Sequence, residues 1–324
     1  MSFLSVRDLC VHMGSTALID HVSFDIDKGR ILGVVGESGS GKSLTAMSIM
    51  GLLPHIGGRI SGGSIVLDGT ELVGLAEEPY RALRGRRLAL ISQNPMTSLD
   101  PMLQVGAQID QVARLHLGES AAQAKARSID LLDQLRIPNA AAVYQRYPHQ
   151  MSGGMKQRIV IAMALAGDPE LIVADEPTTA LDVTIQAQII QILVDLVRSR
   201  QLTLMLITHD MGVVAQACDD VVVLYAGRVA ESNAVAEIFA RPRHPYTRAL
   251  IACITRADQA PGSLTGIPGL VPSAASFATG CRFNPRCTLA QAACASDTPT
   301  LDCAGSGRVA CHFPQAAVDD PVTA

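Results

Sequence analysis

The chain of 324 residues has no tryptophan, and five tyrosines and six phenylalanines are its only aromatics. Stacking platforms for single-stranded nucleic acid are therefore scarce. Positive charge is not in excess either: 26 Lys and Arg stand against 30 Asp and Glu, a formal net charge of −4. No nucleic-acid partner is expected. A run of about 18 apolar residues free of charge and turn residues is also missing, which predicts no membrane-spanning helix. The longest uncharged stretch, around residues 261–280, is broken by glycine and proline. The start, Met1-Ser2-Phe3-Leu4-Ser5-Val6-Arg7-Asp8, lacks a basic segment leading into an apolar one, so no secretory signal is expected. These absences predict a soluble cytoplasmic polypeptide that would rely on other chains for any membrane part.

What is present is a globular composition, 48% hydrophobic and 17% charged. Alternating apolar residues in 3–35 predict β-strands, the last of them Ile31-Leu32-Gly33-Val34-Val35. Residues 43–53 read as a helix stopped by Pro54, and 63–67 as a strand entering the Asp68-Gly69 turn. Residues 87–92 read as a buried strand ending at Gln93. Helical spacing then dominates to Pro148, predicting a helical subdomain at about 101–156. Alternation resumes, with helices at 157–166 and 185–199 and strands at 171–174, 203–207 and 221–225. Strands alternating with helices imply a largely parallel, covered sheet. After about residue 240 prolines recur, and six of the eight cysteines follow, five of them within 281–311. The expected domains are 1–240 and a small loop-rich module at 241–324.

Gly36-Glu37-Ser38-Gly39-Ser40-Gly41-Lys42-Ser43 fits G-x-x-x-x-G-K-[ST], with Leu44 next, between a predicted strand and a predicted helix. Backbone N–H groups of such a loop curl around phosphate oxygens. Lys42 then reaches the β- and γ-phosphates of ATP and Ser43 offers its hydroxyl to Mg²⁺. A glycine-rich turn that merely starts a helix would not need Lys and Ser in this register. Asp175 closes the apolar run Leu171-Ile172-Val173-Ala174 and suits Mg²⁺ held through water. Glu176 points the other way, as a carboxylate polarising the attacking water would. A surface acid pair is the plainer alternative. Gln93 and His209 end two further strands, where Gln93 could touch Mg²⁺ or water and His209 the γ-phosphate; either could be merely solvated. Ser152-Gly153-Gly154 opens a helix and makes a second anion-binding terminus. One chain has no second nucleotide site for it to serve, so it is expected to complete a partner's.

Together these segments resemble the ATP-binding subunits of ABC transporters. Met151-Ser152-Gly153-Gly154-Met155 is similar to that family's LSGGQ signature, Thr179-Ala180-Leu181-Asp182 to its D-loop, Gln93 to its Q-loop and His209 to its switch histidine. The family's adenine-stacking aromatic, expected near Cys10-Val11-His12-Met13, is missing. The resemblance implies an α/β fold: a P-loop NTPase core with an N-terminal antiparallel β subdomain, a helical subdomain and a Cys-rich C-terminal module. It also implies two ATPase domains that sandwich ATP between one phosphate loop and the other's signature. A soluble ABC ATPase acting on ribosomes or DNA would carry two cassettes or a long coiled coil, and a P-loop kinase would leave the signature unexplained.

Met47-Ser48-Ile49-Met50-Gly51-Leu52-Leu53-Pro54, Gln93-Asn94-Pro95-Met96-Thr97-Ser98-Leu99-Asp100-Pro101, His244-Pro245-Tyr246-Thr247 and Gly280-Cys281-Arg282-Phe283-Asn284-Pro285-Arg286-Cys287 resemble the dipeptide, oligopeptide and nickel import branch. That resemblance implies a second, different ATPase subunit, two permeases, an extracytoplasmic solute-binding protein, and a place on the cytoplasmic face of the inner membrane. By position it also implies a [4Fe–4S] cluster on Cys281, Cys287, Cys294 and Cys311, with Cys303 spare. The spacings alone leave zinc, with His312, and free thiols open. Cys10, Cys218 and Cys253 read as packing residues.

Overall fold

The structure is a computed structural model that describes residues 2–178, 182–254 and 266–314. Along the chain run β1 (Leu4–Met13), β2 (Thr16–Ile26), β3 (Ile31–Val35), α1 (Lys42–Ile49), β4 (Gly58–Leu67) and β5 (Thr70–Glu71). Then come α2 (Glu77–Leu83), β6 (Leu88–Ile91), α3 (Pro95–Ser98), α4 (Val105–Leu117), α5 (Ala121–Gln134), α6 (Ala140–Tyr144) and α7 (Gly153–Ala166). β7 (Leu171–Asp175), α8 (Val183–Ser199), β8 (Thr203–Thr208), α9 (Met211–Ala217), β9 (Asp220–Tyr225) and β10 (Arg228–Ala234) follow. The last are α10 (Val235–Ala240), α11 (Pro245–Ala252), α12 (Ala292–Ser296), β11 (Asp302–Ala304) and β12 (Gly307–Val309). The chain divides into two compact units, residues 1–73 with 208–324, and residues 74–207.

In the first unit, β2-β1-β4-β5 form an antiparallel sheet. Its β4–β5 turn places Asp68 and Gly69 at φ 47° and 80°, as an Asp-Gly hairpin turn requires. A second sheet runs β11-β12-β10-β9-β3, parallel between β9 and β3 and antiparallel elsewhere. All five β3 residues are buried, the pattern of a strand covered on both faces. The sequence-level reading of the tail as loops is incomplete: β12 pairs with β10 through Glu231–Val309 and Ser232–Arg308, so part of the tail is sheet edge.

In the second unit, β6, β7 and β8 are parallel neighbours. The helical segment is tied by Asp110 on α4, which accepts from Ser128 on α5 at 2.5 Å and from Tyr144 on α6 at 2.6 Å. Burial and that carboxylate push the Tyr144 phenol up to about 12. α5 begins at a capping box, Ser120 Oγ accepting from Gln123 N–H while the Gln123 side chain accepts from Ser120 N–H, worth about 1 kcal/mol. Among the described residues no helix is long and apolar enough to cross a membrane.

Candidate functional site

β3 delivers the chain into the glycine loop, and the loop's first residue explains why it must be glycine. Gly36 sits at φ 154°, where a Cβ would run into the Leu224 carbonyl oxygen of β9 and the Ser40 side chain. The loop therefore hugs the sheet and its later residues turn back to start α1. Lys42, only 5% exposed, donates from Nζ to the Gly36 carbonyl at 2.7 Å and the Glu37 carbonyl at 3.1 Å. Its ammonium thus lies across the mouth of the loop. Ser40 is fully buried, with its N–H on Glu37 O and its carbonyl accepting from Gly227 N–H at 2.9 Å. Ser43 stands in the first turn of α1.

Glu37 is held twice. Its N–H donates to the Tyr246 hydroxyl at 2.9 Å, and its two carboxylate oxygens accept from the Arg286 guanidinium at 2.7 and 2.9 Å. No sequence pattern signalled this pair, which joins positions 249 residues apart. Near the end of β1, His12 Nδ1 lies 2.7 Å from Ser61 Oγ and Met13 is exposed, so Met13 is the open side chain where the aromatic is missing. Thr208-His209-Asp210 closes β8 and opens α9. Asp210 caps that helix, accepting from Gly212 N–H at 2.7 Å, and His209 is exposed.

In the second unit, Asp175 ends β7 and Glu176 follows at φ 46°. A left-handed glutamate costs about 1–2 kcal/mol, and such strain gathers at functional sites. The turn fixes Glu176 through its N–H on Ile207 O at 2.9 Å, while Gln93 Nε2 donates to its carboxylate at 3.1 Å. Gln93 and Glu176 are thus brought together; the spacing of 83 residues gave no hint of it. Ser152 caps α7, its Oγ accepting from Met155 N–H at 3.4 Å. A Cβ on Gly154 would stand 2.9 Å from Ile185 Cγ2 on α8, so glycine lets the two helices approach. Of the D-loop string, Thr179, Ala180 and Leu181 lie outside the described residues; Asp182 is the N-cap residue of α8.

Cys281, Cys287, Cys294 and Cys311 line one pocket with Phe283 and His312, whereas Cys303 is exposed on β11. Burial, reinforced by the neighbouring thiols, pushes the Cys281 thiol up; burial does the same at Cys287 and Cys311. Among the described residues, one set of three ligand-bearing side chains converges within 4.8 Å: Cys10, Asp20 and His21. There Asp20 is already bound by Arg228 and Arg282. No three of the four pocket thiols lie mutually within that distance.

The profile of the ABC transporter family matches residues 19–179, and that of the oligopeptide/dipeptide transporter C-terminal region matches 230–294. The dipeptide transport ATP-binding protein DppD of Escherichia coli K12 is 43% identical over 97% of both chains. The oligopeptide transport ATP-binding protein AppD of Bacillus subtilis 168 is 44% identical over 90% of this chain and 88% of that one. Among solved structures, the dimeric bacterial ABC transporter cassette MJ0796 superposes with a TM-score of 0.63 at 25% identity, covering 72% of this chain and 98% of that one. The cbiO1 cassette of Clostridium perfringens gives 0.65 at 24%, covering 74% and 90%, a likeness of fold. The phosphate loop, the capped Ser-Gly-Gly helix and the strand-end acids therefore stand in a chain that belongs to the ABC transporter family, among its dipeptide and oligopeptide ATP-binding proteins.

Proposed function

We propose that this chain binds and hydrolyses ATP to energise import of dipeptides, oligopeptides or a related small solute such as nickel. The observation that carries the reading is the end of β7: Asp175, then Glu176 in a strained left-handed turn with the Gln93 amide on its carboxylate. A surface acid pair would have no reason to retain that strain.

In this reading the main chain of Gly36, Glu37, Ser38, Gly39, Ser40, Gly41 and Leu44 cradles the phosphates. Lys42 neutralises the β- and γ-phosphates. Ser43 and Asp175 hold Mg²⁺, with Gln93 a third contact, and Glu176 takes the proton of the attacking water. His209 orients that water and the γ-phosphate. Ser152, Gly153 and Gly154, at the start of α7, bind the ATP of a second, different ATPase subunit through helix N–H groups. Both subunits sit peripherally on the cytoplasmic face of the inner membrane, beneath two permeases fed by an extracytoplasmic binding protein.

Cys281, Cys287, Cys294 and Cys311 would hold a [4Fe–4S] cluster, which supplies four iron–thiolate links between distant parts of the tail. Support comes from the pocket that all four line.

The test is Glu176→Gln in the assembled complex. It is expected to bind ATP and lock the two ATPase subunits closed, visible as a stable nucleotide-bound dimer; turnover near the wild-type rate would remove Glu176 from the role.

A further inference from the structure

Two arginines flank the first two cysteines of the pocket, in Cys281-Arg282-Phe283-Asn284-Pro285-Arg286-Cys287, and both reach the phosphate loop's surroundings. Arg286 is 5% exposed and forks onto both oxygens of Glu37. Its other donors go to the Pro268 carbonyl at 2.8 Å, the Ile267 carbonyl at 3.2 Å and the Tyr225 hydroxyl at 3.4 Å. A bidentate guanidinium so fully used fixes the position and plane of its carboxylate. Arg282 donates to the Ala226 carbonyl at 2.5 Å and to Asp20 at 2.6 Å. The next residue, Gly227, holds the Ser40 carbonyl. Between the two arginines, Phe283 is 4% exposed and meets Tyr225 edge-on with centroids 5.2 Å apart, and Tyr246 at 5.3 Å. Tyr246 is the residue whose hydroxyl accepts the Glu37 N–H.

We propose that the 281–287 loop is a strap on the phosphate loop, with Arg286 positioning Glu37, so that the state of the four-thiol pocket sets nucleotide affinity. This rests on the reading of residues 36–43 as the ATP loop. The chain of contacts is short. Cys287 adjoins Arg286, Arg286 holds Glu37, and the Glu37 carbonyl accepts from Lys42 Nζ. A pocket that loosens releases Arg286, and Glu37 then moves with the carbonyl that aims the phosphate-binding lysine. The unpaired carboxylate would also be left beside an anionic ligand.

The experiment titrates a fluorescent ATP analogue into the full-length subunit, purified without oxygen, alongside thermal midpoints for each variant. Arg286→Gln is expected to weaken binding about tenfold and Arg286→Lys less. Glu37→Gln is expected to weaken it too, although deleting a negative charge near phosphate would by itself tighten it. The double variant should be no weaker than the weaker single, because the two residues act as one unit. Cys287→Ser should weaken binding in the Arg286 background and not in Arg286→Gln. Should Arg286→Gln fail to fold, Glu37→Gln alone carries the test. Glu37→Gln binding as tightly as wild type or tighter, additive losses, or a Cys287→Ser effect that persists without Arg286 would overturn the strap. Wild-type protein that binds no nucleotide would instead overturn the ATP-loop reading.

Discussion

The Gln93 amide donates to the Glu176 carboxylate at 3.1 Å while Glu176 holds a left-handed backbone at φ 46°. The bond restrains one oxygen of a carboxylate whose backbone the strained turn also fixes. In the proposed mechanism Gln93 steers Glu176 in addition to contacting Mg²⁺. Gln93→Ala is expected to slow hydrolysis about tenfold, well short of the ~10²–10⁴-fold that loss of a general base costs. Phosphate release in single-turnover assays measures it, and a loss equal to that of Glu176→Gln would give Gln93 a more direct part.

The strain at Glu176 has a thermodynamic consequence. Glu176→Gly removes the left-handed penalty of about 1–2 kcal/mol and adds back about 0.5–1 kcal/mol of glycine entropy. A net gain of about 0.5–1 kcal/mol in unfolding free energy, with hydrolysis abolished, is expected in denaturant titrations. A loss of stability would mean that the side chain contributes more to folding than the turn costs.

Burial holds the His244 imidazole down at about 4, with the Ala310 backbone pulling the other way. Its Nδ1 accepts from Tyr246 N–H, and the His244 backbone N–H donates to the Glu231 carboxylate. The folded pKa lies below the ordinary value, so the native state resists protonation that the unfolded chain accepts. His244 therefore costs no stability above pH 6.5, and up to about 3 kcal/mol is lost as pH falls from 6.5 to 4. Glu231, whose pKa burial raises, works in the opposite sense. Its protonated form favours the fold, a contribution lost as pH rises through its folded value. His244→Asn, which keeps an acceptor for the cap, should flatten the acid slope in urea titrations at pH 6.5 to 4; an unchanged slope would assign it to other groups.

The phosphate loop was legible because β3, the glycines and Lys42-Ser43 are contiguous and each local choice agrees with a strand–loop–helix. The Asp68-Gly69 turn was legible for the same reason. The Gln93–Glu176 and Arg286–Glu37 pairs were not, because a hydrogen bond between residues 83 or 249 positions apart leaves no local periodicity. β12 escaped notice because three residues, Gly307-Arg308-Val309, are too few to show alternation; pairing with β10 makes them a strand.

For the thiol pocket, Cys294→Ser should abolish iron and acid-labile sulfide in anaerobically purified protein, and Cys303→Ser should leave both intact. The exposure of Cys303 on β11 and the burial of Cys294 motivate the contrast. Colourless wild-type protein without iron or sulfide would rule out a cluster on these residues.

The most direct measurement is uptake of labelled dipeptides and oligopeptides by vesicles carrying the complete transporter, with phosphate release followed in parallel. The account predicts accumulation that requires ATP and ceases, together with hydrolysis, when Glu176→Gln is placed in this chain. Undiminished uptake with Glu176→Gln, or steady hydrolysis that moves no peptide or related solute, would contradict it.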